Sequence, residues 1–199
     1  MHAYSKKMDE AIALAVDSFR DIFRKGTTVP YLTHLMSVAA MVGEGGGDEE
    51  QIIAAMLHDS IEDIPGATAD ELEQRFGTRV ATLVVALSDS TTQQPKPPWR
   101  ERKETYLKHL KHAGADVKLI SVADKLHNCQ SLIRDHLVRG DATYERFAGK
   151  KDGTLWYYRS LLGALDHGFH HPLLDELHSS VERLHGMSKV DFTPSRSTG

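Results

Sequence analysis

Between Ala54 and Ile64 the chain reads AAMLHDSIEDI, and no other stretch restricts its possible folds so tightly. Ile52, Ile53, Ala55, Met56 and Ile61 suit a buried helix, yet His58, Asp59, Ser60, Glu62 and Asp63 put five polar side chains into a span of six. On a continuous helix His58 pairs with Glu62, and Asp59 with Asp63, at i,i+4, so all four project from adjoining sectors of one surface. Burying such groups is costly unless they are paired or metal-bound. Either this is a solvated acidic helix end, or the rest of the chain supplies partners.

The rest of the chain is punctuated for helices. Met8, Ile12, Ala15, Phe19, Ile22 and Phe23 recur at three- and four-residue spacing and predict a helix from Met8 to Phe23 that ends at Gly26, with Arg24 and Lys25 in its last turn. Pro30 opens a second helix, PYLTHLMSVAAMV, which carries His34 one turn in. GEGGG at 43–47 ends it, and Asp48, Glu49 and Glu50 start a third that runs through the AAMLHDSIEDI stretch to Pro65. ATADELEQRFG and TRVATLVVALSDS read as two more, the second being helix rather than strand because nothing nearby alternates to pair with it.

TTQQPKPP at 91–98 is a loop, either a connector or a mobile lid over a site. WRERKETYLKHLKHAG then makes a basic helix with Arg102 and Lys103. Ala115–Val138 is the longest helical pattern, apolar at its centre except for Asp124, with Asn128 and Ser131 one and two turns further on the same side. After Gly140–Gly153 come TLWYYRSLLGALDHG and LLDELHSSVERLHG, where Trp156, Tyr157 and Tyr158 are expected as core anchors. The expectation is an all-α, compact single-domain helical bundle of about ten helices over 1–186, followed by a flexible tail at 187–199.

Composition excludes several classes. A net charge of −4 argues against general affinity for nucleic-acid backbone. No apolar run reaches the ~20 residues of a membrane span, and the N-terminus meets acidic residues before a secretory core could form. One cysteine, Cys129, rules out an internal disulfide and a cysteine-based zinc cluster. Together these predict a cytoplasmic protein, with its oligomeric state left open.

His34, His58, Asp59 and Asp124 come from three separate expected helices and make a set of two imidazoles and two carboxylates. That set suits Mn²⁺, Fe²⁺, Co²⁺ or Zn²⁺ with positions left for water and substrate oxygen. An ion of this kind lowers the pKa of bound water from 15.7 towards about 7. Glu62, one turn beyond His58, is placed to take or orient the water proton, and Asp63 either shares that task or holds a basic neighbour. Arg24, Lys25, Arg102 and Lys103 are candidates to meet phosphate.

The ordered pieces FRKGTTVPYLTH (23–34), AAMLHDSIED (54–63) and VADKLHN (122–128) resemble the HD-superfamily phosphohydrolases, and more narrowly the hydrolase domain of RelA/SpoT alarmone enzymes and their small stand-alone relatives. The resemblance runs over most of residues 10–165. It implies an all-helical HD-domain fold with one metal, usually Mn²⁺, that removes the 3′-pyrophosphate of a small-molecule nucleotide, (p)ppGpp or (p)ppApp. His34, His58, Asp59 and Asp124 fall on the family's metal positions, and Glu62 and Asp63 on its acid pair. Arg24 and Lys25 match the motif near base and phosphates, and Asn128 matches the asparagine that fixes the nucleotide.

Phe19, Ile22, Leu35, Ile64 and Ser121 depart from the larger enzymes, which have His, Gln, Pro, Thr and Lys there. The alternatives are a 5′-deoxynucleotidase built on the same ligand set and a non-catalytic alarmone sensor. Cyclic-dinucleotide hydrolysis is disfavoured because no GYP segment accompanies the His–Asp pair.

Overall fold

The structure, a computed structural model, describes residues 4–89 and 97–188. Ten α-helices follow one another: α1 (Lys6–Ser18), α2 (Leu32–Glu44), α3 (Glu49–Leu57), α4 (Ser60–Asp63), α5 (Ala69–Phe76), α6 (Thr78–Leu87), α7 (Trp99–His112), α8 (Ala115–Arg139), α9 (Lys150–Leu165) and α10 (Pro172–Met187). A 3₁₀ segment, Gly140–Arg146, joins α8 to the approach to α9. Among the described residues the only β-type pairing is an isolated bridge between Phe23 and Pro30.

α8 is the axis of the bundle and packs against α2, α3, α6 and α10. Ile120, Val122, Ala123, Leu126 and Cys129 on it are wholly buried, and each large apolar side chain removed from water contributes about 1.5–3 kcal/mol. Local chemistry sets the boundaries. Asp48 and Gln51 close a reciprocal capping box at the start of α3, and Thr68 accepts from the Glu71 N–H at the start of α5. None of the described helices is long and apolar enough to cross a membrane.

Two helix boundaries differ from the sequence expectation, and both shape the site. α1 stops at Ser18 instead of continuing to Phe23. The apolar period does extend that far, but Phe23 is 54% exposed and Ile12 is 45% exposed, so the pattern there does not mark a core face. The chain closes on itself instead: the Arg24 N–H donates to Val29 O and the Tyr31 N–H to Ile22 O, both at 2.8 Å. Gly26, at φ +67°, makes the turn between them. A Cβ there would also lie 2.9 Å from Arg146 Cδ. Arg24 and Lys25 therefore belong to a turn and not to the last turn of a helix.

The helix expected from Asp48 to Ile64 is broken at His58–Asp59 into α3 and α4. Asp59 takes φ −95°, ψ 0°, in the sparsely populated bridge region. The Ser60 hydroxyl donates to Leu57 O at 2.7 Å, satisfying a carbonyl at the break. The Asp63 N–H still donates to Asp59 O at 3.0 Å, yet Glu62 is half-buried and Asp63 exposed. Smaller differences occur downstream: α9 begins at Lys150, earlier than Thr154, and α10 runs to Met187. Ser188, buried, is hydrogen-bonded to the Tyr144 hydroxyl at 2.8 Å. Residues 90–96, most of the expected loop, and 189–199, most of the expected tail, lie outside the described residues.

Candidate metal centre and substrate cavity

Three elements bring the expected ligands together. His34 comes from α2, His58 and Asp59 from the break after α3, and Asp124 from the middle of α8. One ligand atom from each of His34, His58 and Asp59 lies within 4.8 Å of the others. Asp124 Oδ1 completes the cluster at 3.2 Å from His34 Nε2 and 3.7 Å from His58 Nε2. Both imidazoles and Asp124 are buried.

The tautomers are held from behind. His58 Nδ1 donates to Ala55 O at 2.7 Å, which directs Nε2 into the cluster. That Nε2 is buried and makes no hydrogen bond, although Asp59 Oδ2 is 3.0 Å away, because the angles do not suit one. An imidazole nitrogen facing carboxylates without a hydrogen bond is what a cation site requires, so the donor set fits a divalent ion. His34 Nδ1 meets His127 Nδ1 at 2.8 Å, so one of these nitrogens carries the shared proton. Tyr31 Oη donates to Asp59 Oδ2 at 2.6 Å, and its ring stacks on Phe19 at 5.4 Å. Phe19, a departure from the larger enzymes, thus supports the side chain that fixes the Asp59 carboxylate. Asp124 Oδ1 accepts from Asn128 Nδ2, and its Oδ2 from Lys125 Nζ.

The charge states follow from these neighbours. Burial alone would raise the Asp59 and Asp124 carboxyls, but His58 beside Asp59, and Lys125 with both imidazoles beside Asp124, pull them below the usual carboxylate range. Burial lowers His34, whereas His58 is raised because Asp59 and Asp124 outweigh its burial. Burial also pushes Glu62 up to about 7, helped by the nearby Asp89 charge.

Two cavities meet beside the cluster. A polar one of about 110 Å³ is lined by Asp59, Asp124, Glu62, Asp89, Lys103 and Lys125, among others. A larger one of about 550 Å³ is lined by Arg24, Lys25, Asn128, Ser131, Arg134 and Trp99, with others. Tyr31, Lys103, Lys125 and Asn128 line both, so the two spaces share a wall beside the ligands. Within the larger one, Arg24 Nη2 donates to Asn128 Oδ1 at 2.6 Å, its guanidinium lies 5.6 Å from the Tyr31 ring centre, and Ser131 Oγ accepts from Arg134. Tyr157 and Tyr158 are buried, as expected of anchors, and they also line this space.

Two expected residues stand apart. Asp63 is exposed and is not among the residues lining either cavity. Arg102 lines a neighbouring space of about 650 Å³ between α6, α7 and α8, whereas Lys103, next to it in sequence, faces the site. Four contributors were missed by sequence reasoning as parts of the site. Tyr31 and His127 lie inside FRKGTTVPYLTH and VADKLHN, and Lys125 follows Asp124 within the second of these. Asp89 falls within TRVATLVVALSDS, expected as a helix, and belongs to no motif.

The helical bundle and the buried His/Asp cluster define a class, and the chain belongs to the HD domain family, whose profile matches residues 11–152. It is 34% identical over 128 residues to a Xenopus tropicalis protein, guanosine-3′,5′-bis(diphosphate) 3′-pyrophosphohydrolase MESH1, covering 63% of this chain and 69% of that one. It is also 34% identical over 129 residues to the bifunctional (p)ppGpp synthase/hydrolase SpoT of Escherichia coli, covering 64% of this chain but 18% of that one. A solved structure of a metazoan SpoT ortholog, described as hydrolysing ppGpp, superposes with a TM-score of 0.75 at 23% identity over 94% of this chain and 99% of that one. That likeness concerns the fold.

Proposed function

We propose that this chain is a metal-dependent pyrophosphohydrolase that removes the 3′-diphosphate from a purine alarmone, (p)ppGpp or (p)ppApp, giving the nucleoside 5′-di- or triphosphate and pyrophosphate. The observation that carries the reading is the shared wall: a buried His/Asp cluster opens onto a small cavity with a carboxyl poised near 7 and two lysines, which adjoins a basic space of about 550 Å³. The named activities of the relatives support the same substrate class.

His34, His58, Asp59 and Asp124 would hold the ion, which we take to be Mn²⁺. When bound it polarises a phosphoryl oxygen and makes water more acidic. Glu62 takes the proton of the attacking water, and the new P–O bond forms as the P–O3′ bond breaks. Its elevated pKa lets it hold that proton near neutrality and return it to the leaving O3′. General acid–base help of this kind contributes about 10²–10⁴-fold. Lys103 and Lys125 meet the phosphoryl charge, and Arg24, Lys25, Asn128 and Ser131 hold the nucleotide in the larger cavity.

Incubating the Mn²⁺-loaded protein with ppGpp, ppApp, NADPH and deoxynucleoside monophosphates, then separating products by chromatography, tests this. Pyrophosphate from the 3′ position is expected. Orthophosphate from the monophosphates alone would make it a deoxynucleotidase, and no turnover at all would leave a binding protein.

A further inference from the structure

Asp89 follows Ser88 at the end of α6 and belongs to none of the sequence motifs. Its side chain is only 6% exposed, and it is the meeting point of three groups. Oδ1 accepts from Arg102 Nη1 at 2.5 Å, and Oδ2 from Lys103 Nζ at 2.5 Å. Its main-chain N–H donates to Glu62 Oε1 at 2.5 Å. One residue thus ties the carboxyl assigned to proton transfer to the lysine that faces the same cavity.

We propose that Asp89 is a positioning residue for phosphoester cleavage, its carboxylate aiming Lys103 into the small cavity while its N–H fixes Glu62. This rests on the hydrolytic reading above and extends it to a residue outside the cluster. The two cations on Asp89 do different work. Arg102 points to the neighbouring cavity, and its Nε also donates to Pro97 O at 3.3 Å, so it anchors the carboxylate from behind. Lys103 lines both site cavities, and its Nζ lies 5.1 Å from the Tyr157 ring centre. A lysine ammonium has three donors on a flexible stem, so one bond to Asp89 fixes its direction and leaves two for phosphoryl oxygens. An isolated lysine would supply charge without direction.

This separates positioning from charge. Asp89→Asn keeps the size of the side chain and the main-chain bond to Glu62 but removes the anion that holds Lys103. Losing a fixed anion beside a diphosphate favours diphosphate binding, whereas losing the aim slows the chemistry.

The test measures kcat and KM for the 3′-diphosphate nucleotide, and inhibition by inorganic pyrophosphate with Mn²⁺ in excess, in wild type, Asp89→Asn, Lys103→Met and the double variant. Asp89→Asn is expected to lose kcat on the order of tenfold to a hundredfold, while pyrophosphate binds at least as tightly as in wild type. In the Lys103→Met background, at a pH above 7 where Glu62 is ionised whether or not residue 89 is charged, Asp89→Asn should cost little more. Parallel weakening of kcat and pyrophosphate binding, an unchanged kcat, or fully multiplicative losses would each overturn the proposal.

Asp89→Glu, which keeps the charge and shifts the carboxylate, serves if the asparagine variant does not fold. It should lose kcat with pyrophosphate binding unchanged, and an unaltered kcat there also overturns the idea. Should wild type cleave no 3′-diphosphate, the hydrolytic reading fails by itself. Calorimetric pyrophosphate titrations then decide the role of Asp89: binding at least as tight in Asp89→Asn, with any tightening lost when Lys103 is also replaced, supports it, and weakened binding refutes it.

Discussion

The contact between α7 and α9 makes a quantitative prediction about stability and the site together. A Cβ on Gly149 would lie 2.6 Å from Trp99 Cη2, 2.8 Å from Cζ2 and 2.9 Å from Cζ3. Carbon atoms prefer 3.5–4.0 Å, and the indole is a rigid body whose centroid lies 6.1 Å from that of Trp156 and 6.5 Å from that of Tyr157. Gly149 itself has φ −76°, ψ −8°, which alanine adopts freely, so the cost is the clash and not the backbone. Overpacking of this kind costs about 1–3 kcal/mol, and each kcal/mol corresponds to roughly 2–4 °C in Tm for a domain of this size.

Gly149→Ala should therefore lower the denaturant midpoint in proportion, with an unchanged m value. In a Trp99→Leu background the same change should cost close to nothing, a coupling of about 1–3 kcal/mol. Gly153, where a Cβ would meet the indole at 3.1 Å, offers a sharper sign test. Within α9 an alanine is worth about 1 kcal/mol over glycine, so Gly153→Ala should turn stabilising once Trp99 is gone. Equal costs in the two backgrounds would refute the steric account. The site feels this contact as well, because Lys103 lies one turn beyond Trp99 on the same face of α7.

Other outcomes follow from the metal cluster. Asp59→Ala should lose bound Mn²⁺ and turnover, whereas Glu62→Gln should keep the metal by atomic spectroscopy and lose about 10²–10⁴ in kcat; metal loss in the second would overturn the division of roles. His127→Phe removes the partner of His34 Nδ1 and should weaken metal affinity about 10–100-fold in a chelator competition; an unchanged affinity would mean the ring is held by packing alone. In the metal-free protein Glu62 is raised from 4.5 to about 7. A raised carboxyl binds its proton more tightly when folded, so stability is lost as pH climbs from 4.5 to about 7. Glu62→Gln should not show that decline, and parallel urea midpoints for the two proteins across this window would contradict it.

The helices and the residues of the His/Asp cluster were legible because both rest on local chemistry: apolar period, caps such as Asp48 and Thr68, and polar groups such as Asp124 stranded on apolar faces. What escaped depends on direction in space. Phe23 continues the period of α1 yet faces solvent, because the hydrogen bonds around Gly26 outcompete another helical turn. Arg102 and Lys103 are equivalent as sequence, but neighbours on a helix point about 100° apart, and only packing decides which one meets the site. The break at Asp59 sets α4 off from α3, with Glu62 lining the small cavity beside Asp59 and Asp63 exposed. Asp89 could not be singled out because its partners lie 27, 13 and 14 positions away.

The electrostatics explain how a chain of net charge −4 can attract a still more anionic substrate. Asp59 and Asp124 carry two negative charges that a divalent ion would cancel, and Lys125, paired with Asp124, then leaves the cluster positive. Asp89 is matched by Lys103 and neutralised further by Arg102, so the acidic groups of the small cavity leave no uncompensated negative field. In the larger cavity Arg24, Lys25, Arg134 and Arg146 face a single lining carboxylate, Asp135, which Arg146 holds. The excess acid therefore lies elsewhere on the surface. Within a low-dielectric pocket this local imbalance acts on a diphosphate more strongly than the distant, screened charges oppose it.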